Sequence, residues 1–212
     1  MSITKDLEDL VGGRWVGIAF HDQQHATTMV SAKPMRFCEA IAKSVAHPIV
    51  LSPTTLCCAG GRRSFGWSDR SQDELVKAIS EKSGMLGDAA FRLVAATPLL
   101  RDVPKAVTVG IADAPDVVIS YGLPESIMTL VRRVQEQTGE NLSMEVSSVM
   151  SVCGNVAVRA HLTGRACISF GCMDSREVTG MGRERLIVGI PKALYACFSQ
   201  QSSDTSEVSK AS

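Results

Sequence analysis

Short apolar runs rich in β-branched residues recur along this chain and alternate with stretches that carry apolar residues three and four positions apart. The runs are typical of buried strands, and the alternating stretches are typical of amphipathic helices. Glycine and proline separate them, as expected of turns. The pattern predicts an α/β fold around a mixed sheet. The predicted strands are 15–20, 49–51, 91–96, 106–111, 117–121, 166–170 and 186–190.

The helical stretches have recognisable ends. Ser71 precedes three polar residues that include two acids, which is a favourable helix start, and Pro124 followed by Glu125 is another. The predicted helices are 4–10, 35–46, 71–80, 124–139, a stretch from Cys153 towards Gly164, and 191–198.

The length of 212 residues allows one domain with a sizeable core. We expect a single domain over residues 1–198, followed by a polar tail, 199–212, that stays disordered because it has too few apolar groups to offset its ordering entropy.

The charge balance excludes some classes of partner. Lys plus Arg equals Asp plus Glu at 22 each, and aromatic residues are 5% of the chain. Neither an electrostatic surface for nucleic acid nor a set of base-stacking rings is indicated. The first residues lack the pattern of a signal peptide, and no apolar run approaches the ~18 residues of a membrane span. The sequence therefore predicts a cytoplasmic protein without a nucleic-acid or membrane partner.

A weak internal repeat relates two parts of the chain. A shift of 114 positions aligns four identical pairs, and one inserted residue also brings Cys38 onto Cys153. Halves of about 30–110 and 115–198 would then be similar in structure, although unrelated segments that share rare residues remain an alternative. The identical pairs are His47 with His161, Cys58 with Cys172, Arg62 with Arg176, and Gly66 with Gly180.

The cysteines suggest the chemistry. Seven cysteines in a cytoplasmic chain are packing residues, reactive thiols or metal ligands, because a reducing compartment opposes disulfides. A pseudo-twofold fold would bring four of them, Cys38, Cys58, Cys153 and Cys172, towards one axis. Four thiolates suit an iron–sulfur cluster, 4Fe–4S in preference to 2Fe–2S, in a protein with a redox or a sulfur- or metal-handling role.

Other residues of the candidate site follow from their positions beside these cysteines. Glycine lets the backbone approach a bulky inorganic group, and an arginine four residues after a cysteine could bind an anion or lower a thiol pKa. Cys167 and Cys197 are expected to pack in the core. The candidate cofactor-binding residues are Gly60, Gly61, Gly171, Arg62 and Arg176.

Two alternatives stay open. One is a metal-free thiol enzyme or a small-anion-binding protein that uses Cys58 with Arg62, and the other is an accessory protein whose cysteines only pack. Whether the chain is an enzyme is left undecided. The expected partners are a small-molecule substrate or an electron-transfer protein, with a homodimer as a further expectation.

Several short motifs, in order, resemble the family called domain of unknown function 169, or ArCR. The resemblance runs from about residue 30 to 198 and departs from the family at Ala59, where proline usually follows the turn cysteine. It implies that Cys38, Cys58, Cys153, Gly60, Gly61 and Arg176 sit on recurring family motifs, and it implies no activity. The motifs are 35–40, 58–61 with 65–66, 97–99, 115–119, 123–126, Cys153, 169–172 with Arg176, and 189–191.

Overall fold

The structure is a computed structural model that describes residues 3–23, 33–44, 47–110, 114–144 and 146–198. The helices are α1 (Ile3–Val11), α2 (Phe37–Lys43), α3 (Ala59–Ser64), α4 (Gln72–Ser83), α5 (Gly87–Ala96), α6 (Pro124–Thr138), a π-helix (Ser151–Val158), α7 (Arg159–Thr163), α8 (Met173–Thr179) and a 3₁₀ helix (Lys192–Cys197). The strands are β1 (Trp15–His21), β2 (Ile49–Leu51), β3 (Ala106–Gly110), β4 (Val117–Gly122), β5 (Ser143–Met144), β6 (Cys167–Ser169) and β7 (Leu186–Pro191).

The seven strands form one mixed sheet in the order β2-β3-β1-β4-β7-β6-β5. All neighbouring pairs are antiparallel except β5 and β6, which are parallel. The predicted α/β class with a mixed sheet is confirmed.

The strand order of the sheet is nearly palindromic. Strands β1, β2 and β3 occupy one side in the order β2-β3-β1, and β4, β6 and β7 occupy the other in the order β4-β7-β6. The central pair, β1 with β4, is antiparallel. Along the chain, a helix that bears a cysteine, then a strand, then a helix capped by a cysteine come between β1 and β3, and the same three elements recur in that order between β4 and β7. The elements thus follow a pseudo-twofold order, while the boundaries 30–110 and 115–198 stay a prediction.

Alternate residues of the central strands build two apolar cores. Val117 and Ile119 of β4 pack with α2, α3, α4, α5 and the π-helix on one face. Val118, between them, packs with α1, α6 and the 3₁₀ helix on the other face. This alternation is the period of a pleated strand. The sheet is therefore a middle layer, and all four candidate cysteines lie on the first face or at its edge.

The predicted strand 91–96 is wrong, because these residues belong to helix α5. Ala90 and Val94, four residues apart, are buried, whereas Phe91 is 47% exposed. Four alanines in this helix favour α-helix strongly. A run of six apolar residues is too short to distinguish strand from helix by its period.

The remaining predicted elements are confirmed with small shifts at their ends. Ser71 caps α4 by accepting a hydrogen bond from the Glu74 N–H at 3.2 Å, and Pro124 starts α6. The predicted tail 199–212 and residues 45, 46 and 111 lie outside the described residues. No helix in the described part of the chain is long and apolar enough to cross a membrane.

Candidate functional site

Each of the four predicted ligands lies at or near the start of a helix. Cys58 and Cys172 are the N-cap residues of α3 and α8. Cys38 is the second residue of α2, and Cys153 is the third residue of the π-helix. Backbone N–H groups at helix starts lack intrahelical partners and carry partial positive charge. These positions favour side chains that become negatively charged, such as thiolates.

The structure brings these residues into one region, which we call the four-cysteine site (Cys38, Cys58, Cys153 and Cys172). Burial raises the pKa of the Cys38 thiol well above its ordinary value, and the charges of the other three cysteines raise it further. Burial likewise raises the pKa of the Cys153 thiol, with smaller contributions from Cys58 and Cys172. Such interactions weaken with distance, so they require neighbouring thiols. Both halves of the chain therefore contribute to the site.

The thiol of Cys58 is enclosed by protein, although the residue as a whole is half-buried. Burial raises the pKa of this thiol above its ordinary value. Hydrogen bonds from the backbone N–H groups of Phe37 and Gly61 lower the pKa in part, as does the charge of Arg36. The net effect is a protonated thiol at neutral pH that already accepts hydrogen bonds at sulfur.

A buried serine faces the thiol of Cys153. Ser64 is fully buried, and its Oγ has no hydrogen-bond partner of good geometry among the described residues. Its hydroxyl and the N–H of Gly154 both lower the pKa of Cys153, although burial outweighs them. A buried hydroxyl without a partner is costly, and functional sites are where such groups are commonly kept.

The backbone that leads to Cys153 is unusual. Met150 has a φ of 49° and a ψ of 31°, and it is the one non-glycine with positive φ in the described ranges. The π-helix that follows it is eight residues long. Left-handed non-glycine residues and π-helical turns both cost free energy and are enriched at functional sites. The local fold thus places Cys153 at the expense of regular helix geometry.

Two glycines let the backbone of α3 approach the thiols closely. A Cβ on Gly60 would lie 2.7 Å from Cγ of Met150 and 3.7 Å from Sγ of Cys153. A Cβ on Gly61 would lie 2.8 Å from Sγ of Cys58. Contacts below 3.0 Å require a neighbour to move, so a side chain at Gly61 would displace the Cys58 thiol. The structure therefore places both predicted glycines against the four-cysteine site.

Gly171 forms the turn that leads into α8. Its φ is +82°, which glycine adopts readily, and a Cβ there would lie 2.9 Å from both Cδ1 of Ile187 and Oγ of Ser175. The local backbone geometry therefore explains why a glycine precedes Cys172. Its contact with a cofactor stays a prediction.

The four thiols do not have the mutual spacing of the ligands of a single metal ion. Within the part of the chain that the structure describes, no group of three or more Cys, His, Asp or Glu side chains is arranged to hold a metal ion. Thiols with raised pKa values carry protons at neutral pH, and metal binding displaces such protons. The site as it stands is a group of neighbouring thiols, and those of Cys38, Cys58 and Cys153 are protonated.

The two predicted arginines occupy equivalent positions in the two halves. The N–H of Arg62 donates to the carbonyl of Cys58 at 3.0 Å, and the N–H of Arg176 donates to that of Cys172 at 3.1 Å. Each arginine therefore lies in the last turn of a short helix whose N-cap is the cysteine. Its side chain begins about one helical turn beyond the cysteine.

Both guanidinium groups have structural partners. Arg62 donates to the carbonyl of Pro53 and forms an ion pair with Asp69 at 3.4 Å. Arg176 donates to the carbonyls of Gly182, Arg183 and Arg185 and so orders the loop after α8. A role of either arginine in binding a cofactor stays a prediction.

Sequence reasoning missed two residues near the thiols. Arg36 lowers the pKa of Cys58 and lies 3.6 Å from Asp174. Tyr121 has a buried hydroxyl without a partner in the described ranges, and burial raises its pKa, with further contributions from Cys38 and Cys172. The available signals were a tyrosine after a mostly apolar strand and an arginine two residues before a cysteine.

The other candidates lie elsewhere. Cys167 is buried in β6, as predicted, and Cys197 is half-buried at the end of the 3₁₀ helix. The ring of His161 packs on Phe20 at a centroid distance of 4.9 Å, and His47 is exposed. All seven cysteines lie in described segments, and none of them forms a disulfide there.

Adjacent Cys57 and Cys58 are expected to differ in reactivity. Cys57 is exposed, whereas the Cys58 thiol is enclosed and burial raises its pKa, so Cys58 presents little reactive thiolate at neutral pH. Iodoacetamide should modify Cys57 first in the metal-free protein, as located by fragment-ion mass spectrometry. Modification of Cys58 before Cys57 would contradict the buried, protonated thiol.

Comparison with known proteins gives a family without an assigned activity. Residues 13–200 match the family described as uncharacterised ArCR, domain of unknown function 169. No curated protein and no solved structure matches the chain.

Proposed function

Because this chain belongs to the domain of unknown function 169 family, whose description assigns no activity, we propose its function from the four-cysteine site itself: it holds an iron–sulfur cluster, 4Fe–4S in preference to 2Fe–2S. The observation that carries the proposal is that the four helices bearing Cys38, Cys58, Cys153 and Cys172 meet from both halves of the chain: α2 packs on α8 and on the π-helix, and α3 packs on the π-helix.

The donor set suits this group in its chemistry. Iron–sulfur clusters are held by cysteine thiolates, commonly four of them. Burial raises the pKa of Cys38, Cys58 and Cys153, so several thiolates together in this site are unfavourable without a nearby cation. Bound metal ions relieve this cost by replacing the thiol protons. Loading the site requires proton release and rotation of side chains, since the thiols are not yet spaced around one ion.

The surroundings of the thiols support the same group. The N–H groups of Phe37 and Gly61 donate to Cys58, and the N–H of Gly154 acts on Cys153. Hydrogen bonds to ligand sulfurs stabilise cluster-bound thiolates and tune their potential. Gly60 and Gly61 keep the backbone near the thiols free of side chains. A cluster supplies one-electron transfer when bound, so a redox or sulfur- or metal-handling role follows.

The alternative of a metal-free thiol enzyme that uses Cys58 and Arg62 has less support. A nucleophilic cysteine needs a lowered pKa, and burial raises the pKa of Cys58. Arg62 is already bonded to Pro53 and Asp69. The cluster proposal includes a cytoplasmic location, where free thiols persist, and an electron-transfer or small-molecule partner. A homodimer stays a prediction.

Anaerobic reconstitution with ferrous iron and sulfide tests the proposal. Wild-type protein should gain iron, sulfide, visible absorption and, on reduction, an electron paramagnetic resonance signal. Cys58→Ala should lose them, and Cys57→Ala, which removes the neighbouring exposed thiol, should keep them. Cys38→Ala, Cys153→Ala and Cys172→Ala should behave like Cys58→Ala, with circular dichroism confirming that each variant is folded. A colourless wild type, or equal behaviour of the Cys57 and Cys58 variants, would reject the proposal.

A further inference from the structure

A cavity of about 270 Å³ opens beside the four-cysteine site, between α2, α8 and the central strands. Its lining includes an apolar floor of Val16, Ile41 and Ile119, together with two arginines, Arg14 and Arg185. Ligand pockets for small molecules range from roughly 300 to 1,000 Å³. A cavity of this size therefore admits only a small ligand.

Arg14 is fixed in place before any ligand binds. Its Nη1 donates to the carbonyl of Ala42 at 3.1 Å, and its Nη2 donates to the carbonyl of Ile41 at 2.9 Å and to Oγ of Ser44 at 3.3 Å. These acceptors lie at the C-terminal end of α2, where helix carbonyls lack intrahelical partners. The guanidinium is thus held at the cavity by the helix that also carries Cys38.

Arg185 is held from two sides. Its Nη1 donates to the carbonyl of Tyr121 at 3.0 Å, and its Nε forms an ion pair with Glu184 at 3.7 Å. Arg176 orders the same loop by donating to the carbonyls of Gly182 and Arg185, each at 3.2 Å. The loop after α8, which forms one wall of the cavity, is therefore held in place by side-chain hydrogen bonds.

The lining is positively charged at one end. Among the described residues that line the cavity there are two arginines and neither an aspartate nor a glutamate. Glu184 offsets part of the charge of Arg185 but does not itself line the cavity. An anionic group at this end would gain charge-assisted hydrogen bonds, which are stronger than neutral ones.

Tyr121 lies close to both the cavity and the thiols. The residue lines the cavity, and its hydroxyl is buried without a partner among the described residues. The hydroxyl also interacts electrostatically with Cys38 and Cys172. Tyr121 therefore belongs both to the lining of the cavity and to the surroundings of Cys38 and Cys172.

We propose that this cavity binds a short-chain carboxylate, with the carboxylate at Arg185 and Arg14 and the alkyl part on Val16, Ile41 and Ile119. The charged end and the apolar floor together select a small amphipathic anion over a bare inorganic one. The inference does not depend on a cluster in the four-cysteine site. If such a cluster is bound there, a carboxylate in the cavity would be its substrate and would lie beside Tyr121.

Calorimetric titration with three probes tests the chemistry. Butyrate supplies charge and an alkyl chain, butyramide keeps the shape without the charge, and sulfate supplies charge alone. Butyrate should bind in a saturable manner and more tightly than either of the other probes. No saturable butyrate binding, or butyramide binding as tightly as butyrate, would overturn the proposal. Sulfate binding as tightly as butyrate would overturn the role of the apolar floor.

Matched variants test the location. Arg185→Gln should weaken butyrate about tenfold, through loss of a charge-assisted contact. Arg183→Gln removes the same charge from an exposed position on the same loop and should bind like wild type. Ala42→Leu adds bulk at the lining without removing charge and should also weaken binding. Equal affinities of the Arg185 and Arg183 variants, or full affinity in Ala42→Leu, would reject this site.

The same titration on Cys58→Ala separates this inference from the proposed function. That variant lacks a proposed cluster ligand but retains every residue assigned to the cavity, so it should bind butyrate like wild type. Loss of butyrate binding in Cys58→Ala alone would show that the ligand depends on the thiols and would overturn the assignment to Arg185.

Discussion

Replacing Phe65 with alanine is expected to lower the free energy of unfolding by about 3–5 kcal/mol. The ring is fully buried and meets three other aromatic rings edge-on. Its centroid lies 5.1 Å from that of Phe37, 5.5 Å from that of Trp67 and 5.8 Å from that of Phe20. These neighbours belong to separate segments of the fold, so they cannot collapse together into the space left by the ring. Urea unfolding of the two proteins measures the difference.

Phe91→Ala is the matched control for this prediction. It removes the same ring from α5, where Phe91 is 47% exposed. The expected loss is below about 1 kcal/mol, as for substitutions outside the core. Equal losses for the two variants would mean that Phe65 does not hold α3 against the sheet in the way that its contacts indicate.

Much of the fold could be predicted from the sequence because its central strands are buried on both faces. Such strands appear as continuous apolar runs, and β3 and β4 were found on that basis. Helix α4 was found from its cap. Helix α5 was missed because its apolar run is short, and the choice between strand and helix was decided by packing of Ala90 and Val94 against the core.

Part of the candidate site could also be predicted, since the repeat paired Cys58 with Cys172 as equivalent turn residues. Both are helix N-caps that accept the N–H of the arginine four residues later. Four residues is about one helical turn, so each arginine begins one turn beyond its cysteine. The spacing does not fix where the guanidinium groups go, and they bond carbonyls outside the helices, that of Pro53 for Arg62 and those of Gly182 and Arg185 for Arg176.

The rest of the site depends on tertiary structure. The left-handed backbone of Met150 and the π-helix after it have no sequence signature, because packing imposes them. Tyr121 follows Ser120 at the end of a strand that is otherwise apolar, and only tertiary packing, including that of α2 against α8, places it near Cys38 and Cys172. Ser64 is likewise one serine among many until its burial is known.

The metal-free, reduced protein is expected to lose stability steeply as the pH rises above 9.0, the ordinary pKa of cysteine. The folded-state pKa values of Cys38, Cys58 and Cys153 are all raised, chiefly by burial. Between the ordinary and the raised values, each thiol releases its proton in the unfolded chain but keeps it in the folded protein. The unfolded state then binds fewer protons, so stability present below pH 9.0 is lost as the pH rises.

The share of Cys153 in the slope of unfolding free energy against pH can be measured. Each thiol that ionises only in the unfolded chain removes about 1.4 kcal/mol per pH unit. Urea unfolding of wild type and Cys153→Ala, at pH values on both sides of 9.0, should therefore give a slope that is shallower in the variant by up to that amount. Val152→Ala is the control, because Val152 is fully buried on the same π-helix but has no ionisable group. Comparing slopes removes the constant cost of truncating a buried side chain. If Cys153→Ala and Val152→Ala lose stability with the same slope, the Cys153 thiol is not held in its protonated form by the fold.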